Sequence, residues 1–151
     1  MRQAICLAGL FALTTALLAA DDPFVGTWKL NAVKSKGVGT PKEATVVTEE
    51  NGANQHSKIT ATAANGRVVS FALDYPRAGG KGQISGDERS DGIFVKRSND
   101  YTLDTTFMKA AKAVRTTHSV VAKDGKSMIT IVKVLNKGGK PLAWKVVLDK
   151  Q

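Results

Sequence analysis

The chain has 151 residues, a net charge of +9 and one cysteine, Cys6, which lies inside an apolar N-terminal run. A chain with a single cysteine cannot be a disulfide-stapled scaffold, and with His56 and His118 as its only histidines it cannot close a four-ligand zinc site from nitrogen and sulfur donors. The excess of basic residues favours anionic partners, but the lysines are spread along the chain rather than gathered in one run, which argues against nucleic acid.

Arg2 supplies a positive start, Ile5 to Leu18 is apolar and uncharged, and Ala19-Ala20 precede the acidic Asp21-Asp22. This layout predicts a secretory signal peptide over residues 1–20, cut near Ala20, in a run too short and too abruptly ended for a membrane-spanning helix. Leu18 stands where a small residue is preferred, so the cut is defined only to within a few residues. The expected product is a periplasmic or secreted domain, residues 21–151, with 21 Lys and Arg against 13 Asp and Glu once Arg2 is removed, a net +8. No later segment is apolar enough to enter a membrane, and a monomer is expected.

Alternation with period two then recurs between turn dipeptides. Phe24 to Asn31 reads as the first strand, with Phe24, Gly26, Trp28 and Leu30 on one face. Glu43 to Glu50 is closed by Asn51-Gly52. Asn54 to Ala63 turns at Asn65-Gly66 into Arg67 to Tyr75; Asn-Gly is a strong hairpin signal because both central turn residues need positive φ. Pro76 to Gly82 reads as an unpaired loop, Gln83 to Gly86 as a short strand, and Ser90-Asp91-Gly92 as a turn. Ile93 to Arg97, Tyr101 to Met108, Ala113 to Ala122, Ser127 to Leu135 and Leu142 to Asp149 follow as strands. Phe107 to Arg115 has helix-forming residues, but it is shorter than the ~12–15 that an isolated helix needs, and it reads as a turn. The expected fold is all-β: an antiparallel up-and-down barrel of about 8–10 strands, since closure removes exposed edges.

The segment Phe24-Val25-Gly26-Thr27-Trp28-Lys29-Leu30 resembles the first strand of the calycins, the lipocalins and fatty-acid-binding proteins, whose Gly-x-Trp closes the barrel floor. Residues 22–36 and the closing Asp149-Lys150-Gln151 also resemble a family of small exported bacterial proteins of uncharacterised function. The resemblance implies a lipocalin-like barrel, with Gly26 and Trp28 at its floor. Two features depart from it. Fatty-acid-binding proteins insert a helical lid after the first strand, for which Ala32 to Lys42 has no room. Their last strand offers an Arg-x-Tyr pair, where this chain has Lys145-Val146-Val147.

Signatures of catalysis are absent: there is no Gly-x-Ser-x-Gly elbow, no Ser-x-x-Lys and no phosphate-binding glycine loop. The stretch Asp87 to Ser98 fails as a calcium loop, because Arg89 and Ser98 stand where ligands are required. Asp87, Glu88 and Asp91 read as a solvated turn. No enzyme, cofactor or metal is therefore expected.

If Trp28 points inward, strand parity places Phe71, Tyr75, Tyr101, Phe107 and Trp144 in the same interior. His118 joins them if the face it shares with Val114, Thr116 and Val120 is inward. These six are the candidate ligand-contacting residues, and two readings of the interior stand: a cavity, or a solid core. Arg97 is inward by parity but at a strand end, where it is expected to reach water. With ten strands, alternate loops bring Lys34, Lys36, Lys42, Lys109, Lys112, Lys137 and Lys140 to one rim. The sequence thus predicts an exported, non-catalytic binding protein for a small hydrophobic or amphipathic anion. The alternative is a solid barrel serving as an interaction module of the cell envelope, an inhibitor or adhesin-like piece.

Overall fold

The computed structural model describes residues 21–136 and 138–151, so the leader expected over residues 1–20 and the rim position Lys137 lie outside the described residues. Ten strands follow in chain order: β1 (Gly26–Leu30), β2 (Glu43–Asn51), β3 (Asn54–Thr62), β4 (Val68–Pro76), β5 (Gly80–Ser85), β6 (Gly92–Asn99), β7 (Thr102–Lys109), β8 (Lys112–Val121), β9 (Ser127–Leu135) and β10 (Pro141–Lys150). Each pairs antiparallel with its neighbours in sequence, and β1 pairs with both β2 and β10, closing the barrel. Closure leaves no free outer strand, which removes the template for edge-to-edge association.

The turns follow the local chemistry. Gly66, at φ 84°, gives the β3–β4 hairpin a left-handed residue that an L side chain resists. Two expectations need correction. The glycine-rich Pro76 to Gly82 is not an unpaired loop: Gly80 to Gly82 pair with Val95 to Ile93 of β6, and the next three residues, Gln83 to Ser85, pair with β4. Gly82 permits this crowding, because a Cβ there would stand 2.6 Å from the Asp74 carbonyl oxygen. Nor is Phe107 to Arg115 a long turn. β7 runs on to Lys109 and β8 begins at Lys112, leaving a two-residue turn of Ala110 and Ala111 at φ 48° and 63°. Non-glycine residues seldom adopt that conformation. A hydrogen bond from the Ala110 N–H to Asp91 Oδ2, 2.9 Å, holds the turn to the β5–β6 connection.

The core sits at one end of the cylinder. Trp28 is fully buried, its Nε1 donates to the Phe24 carbonyl at 2.9 Å, and the Lys150 ammonium lies 5.1 Å from its ring centroid. Beneath Phe24, the Asp22 carboxylate accepts from the Phe24 N–H at 3.0 Å and pairs with Arg97 at 2.8 Å and Arg77 at 3.2 Å. Arg97 is therefore held largely inside rather than extended into water. It is 11% exposed, lies 5.4 Å from the centroid of the Phe24 ring, and is turned inward beside an irregularity in the β6–β7 register.

Because strands alternate in direction, the connections after β1, β3, β5, β7 and β9 share the end opposite this floor.

Candidate functional site

Above the floor the interior is not packed solid: a cavity of about 420 Å³ runs up the barrel, within the size range of small-molecule sites. Its lower wall is Phe24, Tyr75, Leu103, Met128 and Leu148, and its middle is Phe71, Phe107, Ile59 and Val132. Phe71 and Phe107 meet edge to face, with centroids 6.4 Å apart and planes at 86°. Trp144, Gly39, Pro41, Arg67, Arg89 and Arg115 line the upper part.

Hydroxyls interrupt this apolar wall at two levels. On one side Thr48 Oγ1 meets Ser57 Oγ at 2.9 Å, and Ser57 Oγ meets the Tyr75 phenol at 3.3 Å. Burial raises the Tyr75 phenol above its ordinary value of 10.0, against the lowering effects of the Ser57 contact and the Arg97 charge, while Asp22 adds to the rise. Tyr75 thus stays protonated at neutral pH and can donate a hydrogen bond. On the facing side, Ser119 Oγ and Thr130 Oγ1 are 2.8 Å apart, with Thr105 and Thr117 also on the cavity wall.

Arg115 is the main cation of the interior. It is 12% exposed, its Nη2 lies 2.9 Å from Asp87 Oδ2, and its guanidinium is 3.8 Å from the Phe107 centroid and 5.3 Å from that of Phe71. Burial lowers its pKa from the ordinary guanidinium range, Asp87 opposes the shift and Arg89 adds to it; a guanidinium remains charged at neutral pH under such perturbation. Its Nε has no hydrogen-bond partner among the described residues. Asp87, read from sequence as a solvated carboxylate, is instead 5% exposed. Burial works to raise its carboxyl, but the Arg89 N–H, the Arg115 charge and the Ser90 hydroxyl outweigh burial and hold it below 3.8.

Of the six residues singled out from sequence, Phe71, Tyr75, Phe107 and Trp144 line the cavity. Tyr101 does not; it packs against the core from the turn just before β7 without reaching the void. His118 points the other way, onto the outer wall, where Nδ1 lies 2.7 Å from Asp104 Oδ1. The reason is a β-bulge. The β7–β8 register shifts between Phe107↔Arg115 and Met108↔Ala113, so Val114 is the extra residue. Val114 packs against the core although it shares parity with His118, while Arg115, Thr117 and Ser119 take the interior positions. Reading inward parity from Val114 therefore assigns the wrong face to the rest of β8 and hides Arg115.

A strap from the β1–β2 connection lies against the mouth. A Cβ on Gly39 would fall 2.4 Å from the Trp144 indole, and one on Gly37, at φ 118°, would fall 2.6 Å from Trp144 Cβ. Only glycine allows this segment to rest on the indole. Among the described residues, no group of three His, Cys, Asp or Glu side chains is placed to hold a metal ion.

The structure is a closed, antiparallel ten-strand barrel with an interior cavity, a fold that also occurs among solved structures. Among solved structures, the zebrafish ileal bile acid-binding protein complexed with cholic acid is similar, with a TM-score of 0.51 and 12% sequence identity. The match covers 85% of this chain and 99% of that one, so the likeness is of fold. No family model and no curated protein matches the chain.

Proposed function

We propose that this protein is an exported, monomeric and non-catalytic carrier of a small amphipathic anion. The observation that carries the reading is the pairing of an apolar cavity of about 420 Å³ with a buried guanidinium, Arg115, in its wall. A ligand with its apolar body against Phe71, Phe107 and Met128 would bring its anionic group to the free edge of Arg115. Arg67 and Arg89 stand at the same mouth and add to the field. The Tyr75–Ser57–Thr48 and Ser119–Thr130 hydroxyls suit a body with one or two hydroxyl or carbonyl substituents. The zebrafish neighbour is complexed with cholic acid, an amphipathic acid, which supports the same ligand class here. The leader expected over residues 1–20 supports export.

The test is displacement of the fluorescent probe anilinonaphthalene sulfonate from the purified protein by dodecanoate and by dodecanol. The acid is expected to displace the probe at the lower concentration, and Arg115→Gln to weaken the acid by about tenfold while leaving the alcohol nearly unchanged. Equal potency of acid and alcohol in the parent protein would contradict an anion carrier.

A further inference from the structure

The end of the barrel where the cavity opens differs from the rest of the surface in a way that the ligand site does not require. Among the described residues, Val33, Val38, Val68, Leu135 and Leu142 are exposed large apolar side chains, and all of them sit at this end. Val33 is 91% and Val38 80% exposed, both in the strap between β1 and β2. Val68 begins β4, Leu135 ends β9 and Leu142 follows the start of β10. The other exposed large apolar residues, Phe94, Val120 and Ile129, lie on the outer wall. Five exposed apolar side chains gathered at one pole of the barrel mark a contact surface.

Cations are interleaved with this ring. Lys34, Lys36 and Lys42 flank the two valines of the strap, Lys109 and Lys112 flank the β7–β8 turn, and Arg67 and Lys140 stand beside Val68 and Leu142. All seven are exposed, and none is in an ion pair among the described residues. At the floor, by contrast, Arg97 and Arg77 are held by Asp22 and Glu50, and the connections carry Asp100 and Asp124 against Lys123 and Lys126. Glu43, Asp87, Glu88 and Asp91 also lie at the mouth, but its lysines and arginines outnumber them, so net positive charge is concentrated there.

We infer that the mouth of the barrel docks on an anionic lipid bilayer, the lysines meeting headgroups while Val33, Val38 and their neighbours enter the interfacial region. Free cations beside protruding valines and leucines fit that occupant on both counts. A soluble polyanion would use the charges and leave the apolar side chains in water. Docking stands without the carrier reading, and rests on it only for its consequence: a ligand could pass between bilayer and cavity without crossing water.

The test is co-sedimentation of the purified protein with vesicles of phosphatidylcholine alone, or of equal parts phosphatidylcholine and phosphatidylglycerol. Three double variants accompany the parent: Lys34→Glu with Lys140→Glu at the mouth, Lys123→Glu with Lys126→Glu at the floor, and Val33→Ser with Val38→Ser. The parent is expected to bind only the anionic vesicles. The mouth reversal should lose about tenfold or more in affinity, and the floor reversal, which changes net charge equally, should lose little. The serine pair should also weaken binding severalfold although it leaves every charge in place. No binding by the parent, or equal loss on reversal at either end, overturns the proposal, as does serine-pair binding equal to the parent. Probe binding by anilinonaphthalene sulfonate in solution, measured on the same samples, reports the cavity separately. Vesicle binding that fails while probe binding persists sinks docking and leaves the carrier reading intact.

Discussion

At the floor of the barrel Trp28 and Phe24 fill the cross-section, and Asp22 holds Arg97 and Arg77 beneath them. At the mouth the same strands end in exposed valines and leucines, unpaired lysines and a glycine strap lying on Trp144. The floor is built from sequence-distant residues that satisfy one another, so it contributes stability. The mouth leaves lysines and apolar side chains in solvent, which is what the proposed binding requires. The difference shows how one closed sheet can assign its two ends to separate tasks, since alternate connections of an up-and-down barrel never mix ends.

Substitutions at the floor should therefore unfold the protein, and those at the mouth should not. Trp28→Ala removes a fully buried indole and is expected to cost about 3–5 kcal/mol in urea unfolding. A loss below about 1 kcal/mol would mean that the floor is not the core. Asp22→Ala leaves the nearly buried Arg97 without its carboxylate and should cost about 3 kcal/mol, and adding Arg97→Met should recover part of it. At the mouth, Gly39→Ala presses a methyl into the Trp144 indole. The strap can move away, so a loss of only about 1 kcal/mol is expected, with faster amide exchange confined to residues 36–42.

The smallest effect concerns pH. The Asp87 carboxyl is held below 3.8 in the folded protein, so its pairing stabilises the fold above that pH and the contribution is lost as pH falls through the lower folded value. The stability gap between the parent and Asp87→Asn should close there. A gap that widens under acid would contradict the assignment of Asp87 as the ionised partner of Arg115.

Much of this fold is legible in the sequence, because alternation and Asn-Gly turns are local signals. The Gly26-x-Trp28 strand keeps its inward parity, and so do Trp144, Val146 and Leu148 in the closing strand, whereas Leu142 is exposed at the mouth. The site was legible only where parity held. Phe71, Tyr75, Phe107 and Trp144 could be placed from the strand period alone. Arg115 could not, because the bulge at Val114 depends on how β8 is paired across the sheet and breaks the period on which the inference runs. Asp87 and Arg97 were misread for a related reason. Each appears solvated beside its chain neighbours, and is buried by a partner 28 or 75 residues away, Arg115 and Asp22 respectively. The β5 pairings were hidden by glycines, which ordinarily weaken a strand and here let it pack against the Asp74 backbone.

The central claim, that an amphipathic anion enters the barrel from its cationic end, is tested most directly by locating a bound probe. Nuclear Overhauser contacts between anilinonaphthalene sulfonate and the side chains of the protein are expected at Met128, Val132 and Phe71, with the resonances of Arg115 shifting on binding. Contacts confined to Val120 and Ile129 on the outer wall, with the interior methyl groups silent, would contradict it.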